Sequence, residues 1–415
     1  MNVLKKIFQS GQAFAWAIQL VAFSIPILKM GLQIPILILI IVWIFSPKQN
    51  FKKVIWPILV FSGIYLFHAL GLIYSSNLDA GLTDMIQKLS LLLFPVMVGT
   101  AVPMDRQDYR NTMGAFVIGT VAATLIGYGT SWVSYSQTND LDAFYMSDFS
   151  PFHHPSYLAM YMNMAIFILV FNTYKRKLSR GMEFIYWLGV LFLSLSLIFP
   201  ASKMGLLTFV ILVISIVFVA SKLKKIVSRQ SFLLLATSVL FVLFYLNDPI
   251  AKSRVERAIS VTKDKAEDNM DKERSQVESS TARLLVWGVA LDEIQKHPLG
   301  VGTGDTQELL VEKYLERGYE EIAEMRLNPH NTYLELALEV GIIALIWFVF
   351  SLVFPLRMIL LDQNWIYGFF ILNVSLNFMV ESMLEGQSGV VFFAYFNAVF
   401  FFHSKLVRDE NIETQ

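Results

Sequence analysis

Apolar runs of about bilayer-spanning length recur from one end of this chain to the other, and they limit its fold more than any other feature. About twelve can be marked, near residues 13–30, 32–46, 54–74, 88–103, 112–132, 156–173, 183–199, 204–221, 232–247, 331–354, 365–380 and 388–403. Hydrocarbon offers backbone groups no water to pair with, so such runs must become helices or a closed barrel. The residue-by-residue alternation of a membrane barrel is absent. The expected fold class is therefore all-α, a polytopic membrane helix bundle of about twelve transmembrane helices with one long outer (periplasmic) loop. The expected organisation is transmembrane helices 1–9 over 1–247, an outer loop with an amphipathic helix over 248–329, helices 10–12 over 330–404, and a cytoplasmic tail over 405–415.

Lys5 and Lys6 precede the first run, but no small-residue cleavage site follows and a second run comes at once, so this reads as a span and not a signal peptide. The formal net charge is zero, which says nothing about partners; membrane lipids are expected and nucleic acid is not. With no cysteine, disulfides and thiolate metal sites are excluded.

Basic residues on the short connections set the orientation. With the N-terminus inside, the inner segments carry 18 of them, while the short outer segments carry only Lys29, Lys88 and Lys203. The long segment 248–329 is left out of the comparison, because long loops cross regardless of charge. Both termini are expected in the cytoplasm. The stretch 133–155 with His153 and His154, the turn Ser202-Lys203, the segment 248–329, His330 and the turn 381–388 with Glu381 and Glu385 then share the outer face, where a bundle can bring them together.

Within the outer segment, 251–282 is highly charged and reads as a solvated helix or linker. Leu284, Leu285, Trp287, Leu291 and Ile294 follow near helical spacing, predicting an amphipathic helix on the membrane face or against the bundle. His297-Pro298-Leu299-Gly300 ends it. Gly300-Val301-Gly302-Thr303-Gly304-Asp305 has the look of a phosphate loop, but it follows no strand and lacks the lysine, so a tight turn with close backbone approach is expected.

Five places carry candidate chemistry. Pro329 suits a first helical position and Asn328 an N-cap, which places His330 in the first turn of an outward-opening helix, as a general base, proton shuttle or hydrogen-bond donor. The plainer alternative is a capping-region histidine. Ser202 and Lys203 combine a helix N-terminus with an ammonium, a good anion site, against the alternative of a lysine snorkelling to the interface. Arg283 offers a guanidinium for bidentate phosphate contact, or simply a solvated loop arginine. His153-His154-Pro155 reads as another outer helix opening. Glu335 and Glu339, spaced i, i+4 on the span after His330, are costly there unless they face the protein interior, hold a site together or pair with basic residues. No metal site is expected, since thiolates and a His-x-x-x-His pair are missing.

Arg283-Leu-Leu-Val-Trp287, then His297-Pro-Leu-Gly300-Val-Gly302-Thr-Gly304, then Pro329-His330-Asn331-Thr-Tyr333-Leu-Glu335-Leu-Ala-Leu-Glu339-Val-Gly341 resembles, in order and spacing, the O-antigen ligase and polymerase superfamily. Phe152-His-His154-Pro155-Ser-Tyr157-Leu-Ala159 is similar to that family's earlier outer helix opening, and the likeness covers roughly 150–400. The resemblance implies an inverting, metal-independent glycosyltransferase of the bacterial inner membrane, without cofactor, whose active site faces the periplasm. It implies a polyprenyl diphosphate-linked glycan as donor and, in the ligases, lipid A–core oligosaccharide as acceptor. Carried onto this chain, His330 engages the acceptor hydroxyl or the reacting centre and Arg283 holds the diphosphate, with Ser202 and Lys203 as further diphosphate contacts. Lys203 stands where the family usually has arginine, which keeps the charge and loses the fork. His154, Asn331, Tyr333 and Glu335 are candidate donor or acceptor contacts.

Ligase is the leading reading. A repeat-unit polymerase acting on a growing glycan, or a transferase to protein, shares the donor chemistry. A transporter of lipid-linked sugars, with His68, Glu339 and Asn377 lining its path, is the reading from a different class.

Overall fold

The computed structural model describes residues 11–49, 51–222, 228–247 and 279–404. Lys5, Lys6, most of the charged stretch 251–282 and the tail 405–415 lie outside the described residues. Among the described residues the chain is helical, with one isolated bridge between Lys48 and Ala101 and no strand.

The helices are α1 (Gln12–Ser24), α2 (Gln33–Phe45), α3 (Phe51–Gly71), α4 (Leu78–Lys88), α5 (Ser90–Thr100), α6 (Arg106–Thr138), α7 (Met146–Phe149), α8 (Pro155–Lys175), α9 (Arg180–Ser196), α10 (Lys203–Lys222) and α11 (Arg229–Asn247). After the undescribed stretch come α12 (Ser279–Lys296), α13 (Thr306–Glu316), α14 (Glu320–Glu324), α15 (Thr332–Val353), α16 (Leu356–Asp362), α17 (Trp365–Phe378) and α18 (Gln387–Phe402).

Among the described residues, six stretches are long and apolar enough to cross a membrane: 51–74, 78–100, 106–138, 155–175, 203–222 and 332–362. Apolar helices α1, α2, α11, α17 and α18 are shorter. All twelve apolar runs fall on helices, but two are not simple rods. The run near 88–103 belongs to the pair α4–α5, which begins already at Leu78, and the run near 331–354 is broken at Gly341. Ile34, Leu37, Ile41 and Ile44 of α2, and Leu207, Val210, Ile214 and Val217 of α10, stand exposed in rows, as lipid-facing residues do.

The chain divides into two compact units, 1–119 with 282–415, and 120–281. In the first, α18 is the buried central helix, enclosed from Ser388 to Phe400. Its rings interlock with neighbours: Phe396 lies 4.8 Å from Phe116, Phe393 lies 5.3 Å from Phe378, and Tyr395 lies 5.4 Å from Phe94. Lipid tails are as apolar as these side chains, so close packing and ring geometry, and not escape from water, hold this core. In the second unit α8 is enclosed along its length, and Gly205 of α10 approaches Ala159 so closely that a Cβ there would meet it at 2.5 Å.

The amphipathic helix expected at 283–296 exists as α12, but its buried stripe differs from the one read from the sequence. Leu284 and Leu291 are exposed, whereas Ala282, Val286, Val289, Ala290 and Ile294 are buried. The reason is a partner the sequence did not announce. Leu310 and Tyr314 of α13 and Ile322 and Ala323 of α14 close over α12, forming a small helical head whose core continues into Ala337 and Leu338 of α15.

Candidate active site

The head reaches α15 through the turn after α12. Gly300 and Gly302 hold left-handed backbone (φ +86° and +114°), and Gly341 in the middle of α15 does too (φ +89°). At Gly341 the helical hydrogen-bond ladder stops, and the head supplies what it loses. Val301 N–H donates to Leu338 O at 2.9 Å, Gly302 N–H to Glu339 O at 3.0 Å, and Ile342 N–H to Pro298 O at 2.9 Å. A Cβ on Gly300 would sit 2.5 Å from Glu339 O, and one on Gly341 would sit 2.5 Å from the Leu299 carbonyl carbon. The expected tight turn with close backbone approach is therefore present, and its target is the break in a membrane helix. Asp305 then accepts from Ser76 N–H (2.7 Å) and Asn77 N–H (2.8 Å), fastening the head to the start of α4.

His330 lies just outside α15. The cap is Asn331, whose Oδ1 accepts from Tyr333 N–H (3.0 Å) and Leu334 N–H (3.2 Å), so the expected capping role of Asn328 is corrected. Asn328 Oδ1 instead accepts from His330 N–H at 3.0 Å, a local turn with His330 at φ +45°. A residue in that conformation cannot continue a right-handed helix, which is why the helix starts three residues later than the sequence suggested, at Thr332 and not Pro329. Trp287 Nε1–H donates to Pro329 O at 2.7 Å, tying α12 to the same loop. Tyr314, whose phenol pKa burial pushes up, donates to Leu327 O at 2.9 Å and holds the approach to Pro329.

The turn after α17 closes the site. His330 Nδ1 lies 3.5 Å from Glu381 Oε2, and Arg283 Nη2 lies 4.0 Å from Glu381 Oε1, so one carboxylate is flanked by both candidates. The Arg283 and His330 side chains remain about one-third exposed, open to a ligand (34% and 36%). The turn is laced to the opening of α15. Thr332 Oγ1–H donates to Glu381 O (2.7 Å), Met383 N–H donates to Thr332 Oγ1 (3.0 Å), and Asn331 N–H donates to Ser382 Oγ (3.3 Å). Ser382 Oγ–H donates to buried Glu335 at 3.0 Å. The Tyr333 hydroxyl donates to Ser375 O at 3.2 Å. Arg283, His330, Asn331 and Glu335 thus meet around Glu381 and Ser382, whereas Tyr333 turns its hydroxyl toward α17.

Ser202, Lys203 and His154 belong to the second unit. Ser202 Oγ accepts from Gly205 N–H at 3.1 Å and Lys203 is exposed. His154 precedes the first turn of α8, with Tyr157 at 6.3 Å. The close approach of Gly205 to Ala159 brings these two helix openings to the same end of that unit.

Lys88, counted in the sequence among outer-loop lysines, is wholly enclosed on α4. It contacts Asp84 as a hydrogen-bonded pair, Glu385 at 2.8 Å and Glu339 at 3.5 Å, and His68 Nε2 lies 3.3 Å from Glu339. Glu339 thus pairs with a basic residue, as its depth demanded. His68, Asp84 and Glu339 offer three possible metal-ligand atoms within 4.8 Å of one another. Lys88 already stands among them as a cation. The sequence hid this cluster by spreading it over residues 68–385, while the i, i+4 spacing of Asp84 and Lys88 was its one local trace.

No curated protein matches the chain. Residues 188–349 match the O-antigen ligase family, a stretch that contains Ser202, Lys203, Arg283, His330, Glu335 and Glu339. The head, the break at Gly341 and the His330 turn all lie in that stretch, so it is this part of the chain that is similar to the O-antigen ligase family.

Proposed function

We propose that this protein is an inverting glycosyltransferase of the ligase type. It moves a glycan from polyprenyl diphosphate to lipid A–core oligosaccharide at the periplasmic face of the bacterial inner membrane, with both termini in the cytoplasm. The observation that carries the reading is the convergence on Glu381 of His330 and Arg283, two residues of the stretch that matches the family.

In this reading Glu381 accepts from His330 Nδ1–H and leaves Nε2 as the base. The acceptor hydroxyl loses its proton to Nε2 as its oxygen attacks the anomeric carbon from the face opposite the diphosphate. The bond from that carbon to the diphosphate oxygen breaks, and polyprenyl diphosphate leaves with the electron pair. Diphosphate is already a good leaving group, so a fixed guanidinium beside it supplies the stabilisation that the developing charge needs. Arg283 takes that part; its pairing with Glu381 is loose enough to yield to phosphate oxygens. Ser202 and Lys203 are proposed as an additional diphosphate contact and His154 as a donor or acceptor contact, and the reaction needs no metal or cofactor.

The test is the lipopolysaccharide of a deletion strain, with complementation by wild type and by His330→Ala. Core-only bands with glycan accumulating on polyprenyl diphosphate, restored by wild type alone, support the ligase. Core bearing one repeat unit with the ladder lost points to a polymerase acting on the same donor. An unchanged profile overturns both.

A further inference from the structure

Lys88 does not reach the site. No part of it is exposed, yet it joins three elements on which the site depends: its own α4 through Asp84, α15 beside its break through Glu339, and the short turn Met383–Glu385 through Glu385. That turn follows directly on Glu381 and Ser382. A fourth element, α3, enters through His68. Its Nδ1 lies 2.8 Å from Ile64 O, and a carbonyl only accepts, so Nδ1 carries hydrogen. Nε2 then faces Glu339 Oε2 at 3.3 Å, and two lone pairs at that distance need a proton between them.

His68, Asp84 and Glu339 would suit a metal ion by spacing, but Lys88 Nζ lies against Asp84 and 3.5 Å from the same Glu339 oxygen that faces His68. The ammonium occupies the position that a bound cation would take. Without it, Asp84, Glu339 and Glu385 would face one another at low dielectric with no ammonium between them, and the elements that carry them would part.

Resting on the transferase reading above, we propose that Lys88 is a positioning residue. By drawing Glu339 and Glu385 together it fixes the turn that carries Glu381 against the opening of α15 that carries His330. A displacement of about 1 Å at a reacting group costs up to roughly 100-fold in rate, so the cluster governs turnover without touching substrate.

The absence of cysteine permits a readout independent of activity. Spin labels on Met325→Cys and Met379→Cys, both exposed, report the spacing between the head and the 381–385 turn. Lys88→Met, and Glu385→Gln as the gentler change should the first fail to fold, are expected to broaden that distance distribution. They are also expected to lower kcat by about 10- to 100-fold with KM for donor little changed. Lys88→Arg is expected to keep the narrow distribution and most of the turnover. Glu385→Gln with wild-type distances and wild-type kcat overturns the proposal, as does a fall in kcat at unchanged distances. Stoichiometric metal in the purified protein, with distances that respond to a chelator, overturns it as well. Distances that shift as expected in a protein that moves no glycan support the clamp and reject the transferase reading.

Discussion

His330 holds a left-handed backbone, which costs a non-glycine residue on the order of 1–3 kcal/mol and persists only where its surroundings enforce it. Here Asn328, Trp287 and the Asn331 cap do so. His330→Ala is expected to lower transfer by about 10²- to 10⁴-fold while the protein still reaches the membrane with an unchanged melting temperature. A purified assay with lipid-linked donor reads the first and a thermal shift in detergent the second; normal transfer would remove His330 from the chemistry. Glu381→Gln keeps the backbone carbonyl that Thr332 uses and removes the charge between His330 and Arg283. A kcat reduced by about 10-fold or more is expected, since a histidine base loses its orienting carboxylate. At Lys203, arginine should retain more activity than alanine; equal activities of the two variants would show that the charge at this turn does not meet phosphate.

The instructive element is α15. Its apolar run predicts one continuous span, and its interruption rests on Gly341, a residue that elsewhere sits quietly inside helices. Gly341→Ala must fit a Cβ 2.5 Å from Leu299 and hold a positive φ, so a loss of about 1–3 kcal/mol is expected from melting in detergent. Gly318→Ala, equally left-handed but with open space around it, tests the backbone cost alone and should lose less, with transfer intact. The apolar helices were legible because each needs only composition and length, though only six of the resulting stretches are long enough to span among the described residues. The motif around His330 was legible because its residues are contiguous. What stayed hidden depends on partners distant in sequence. Two asparagines flank Pro329-His330, and only the backbone at His330 decides that Asn331 is the cap. Leu284 and Leu291 fit a helical stripe, and only α13 and α14 turn the buried face to Val286 and Ala290. Lys88 read as a loop lysine because its carboxylate partners Glu339 and Glu385 lie some 250 residues or more downstream. Glu381 was visible as an outer-face acid, but its neighbours were not.

For the whole molecule, the uneven distribution of basic residues over alternate connections predicts an orientation, and the absence of cysteine makes it directly measurable. A cysteine placed at Met325 should react with a membrane-impermeant maleimide in cells whose outer membrane has been made permeable, and one at Lys177 should react only after lysis. The reverse pattern would place the His330 turn in the cytoplasm, away from any periplasmic acceptor. The hydrogen bonds that Val301, Gly302 and Pro298 exchange with the two sides of the Gly341 break bear on how such proteins can be recombined. A loop that completes the backbone of a span is not an appendage that can be traded alone. Chimeras that exchange the head between relatives should keep their fold only when residues 298–302 and 338–342 come from the same parent. Acceptor specificity, if it resides in the head, would then travel between lineages together with a piece of the membrane core.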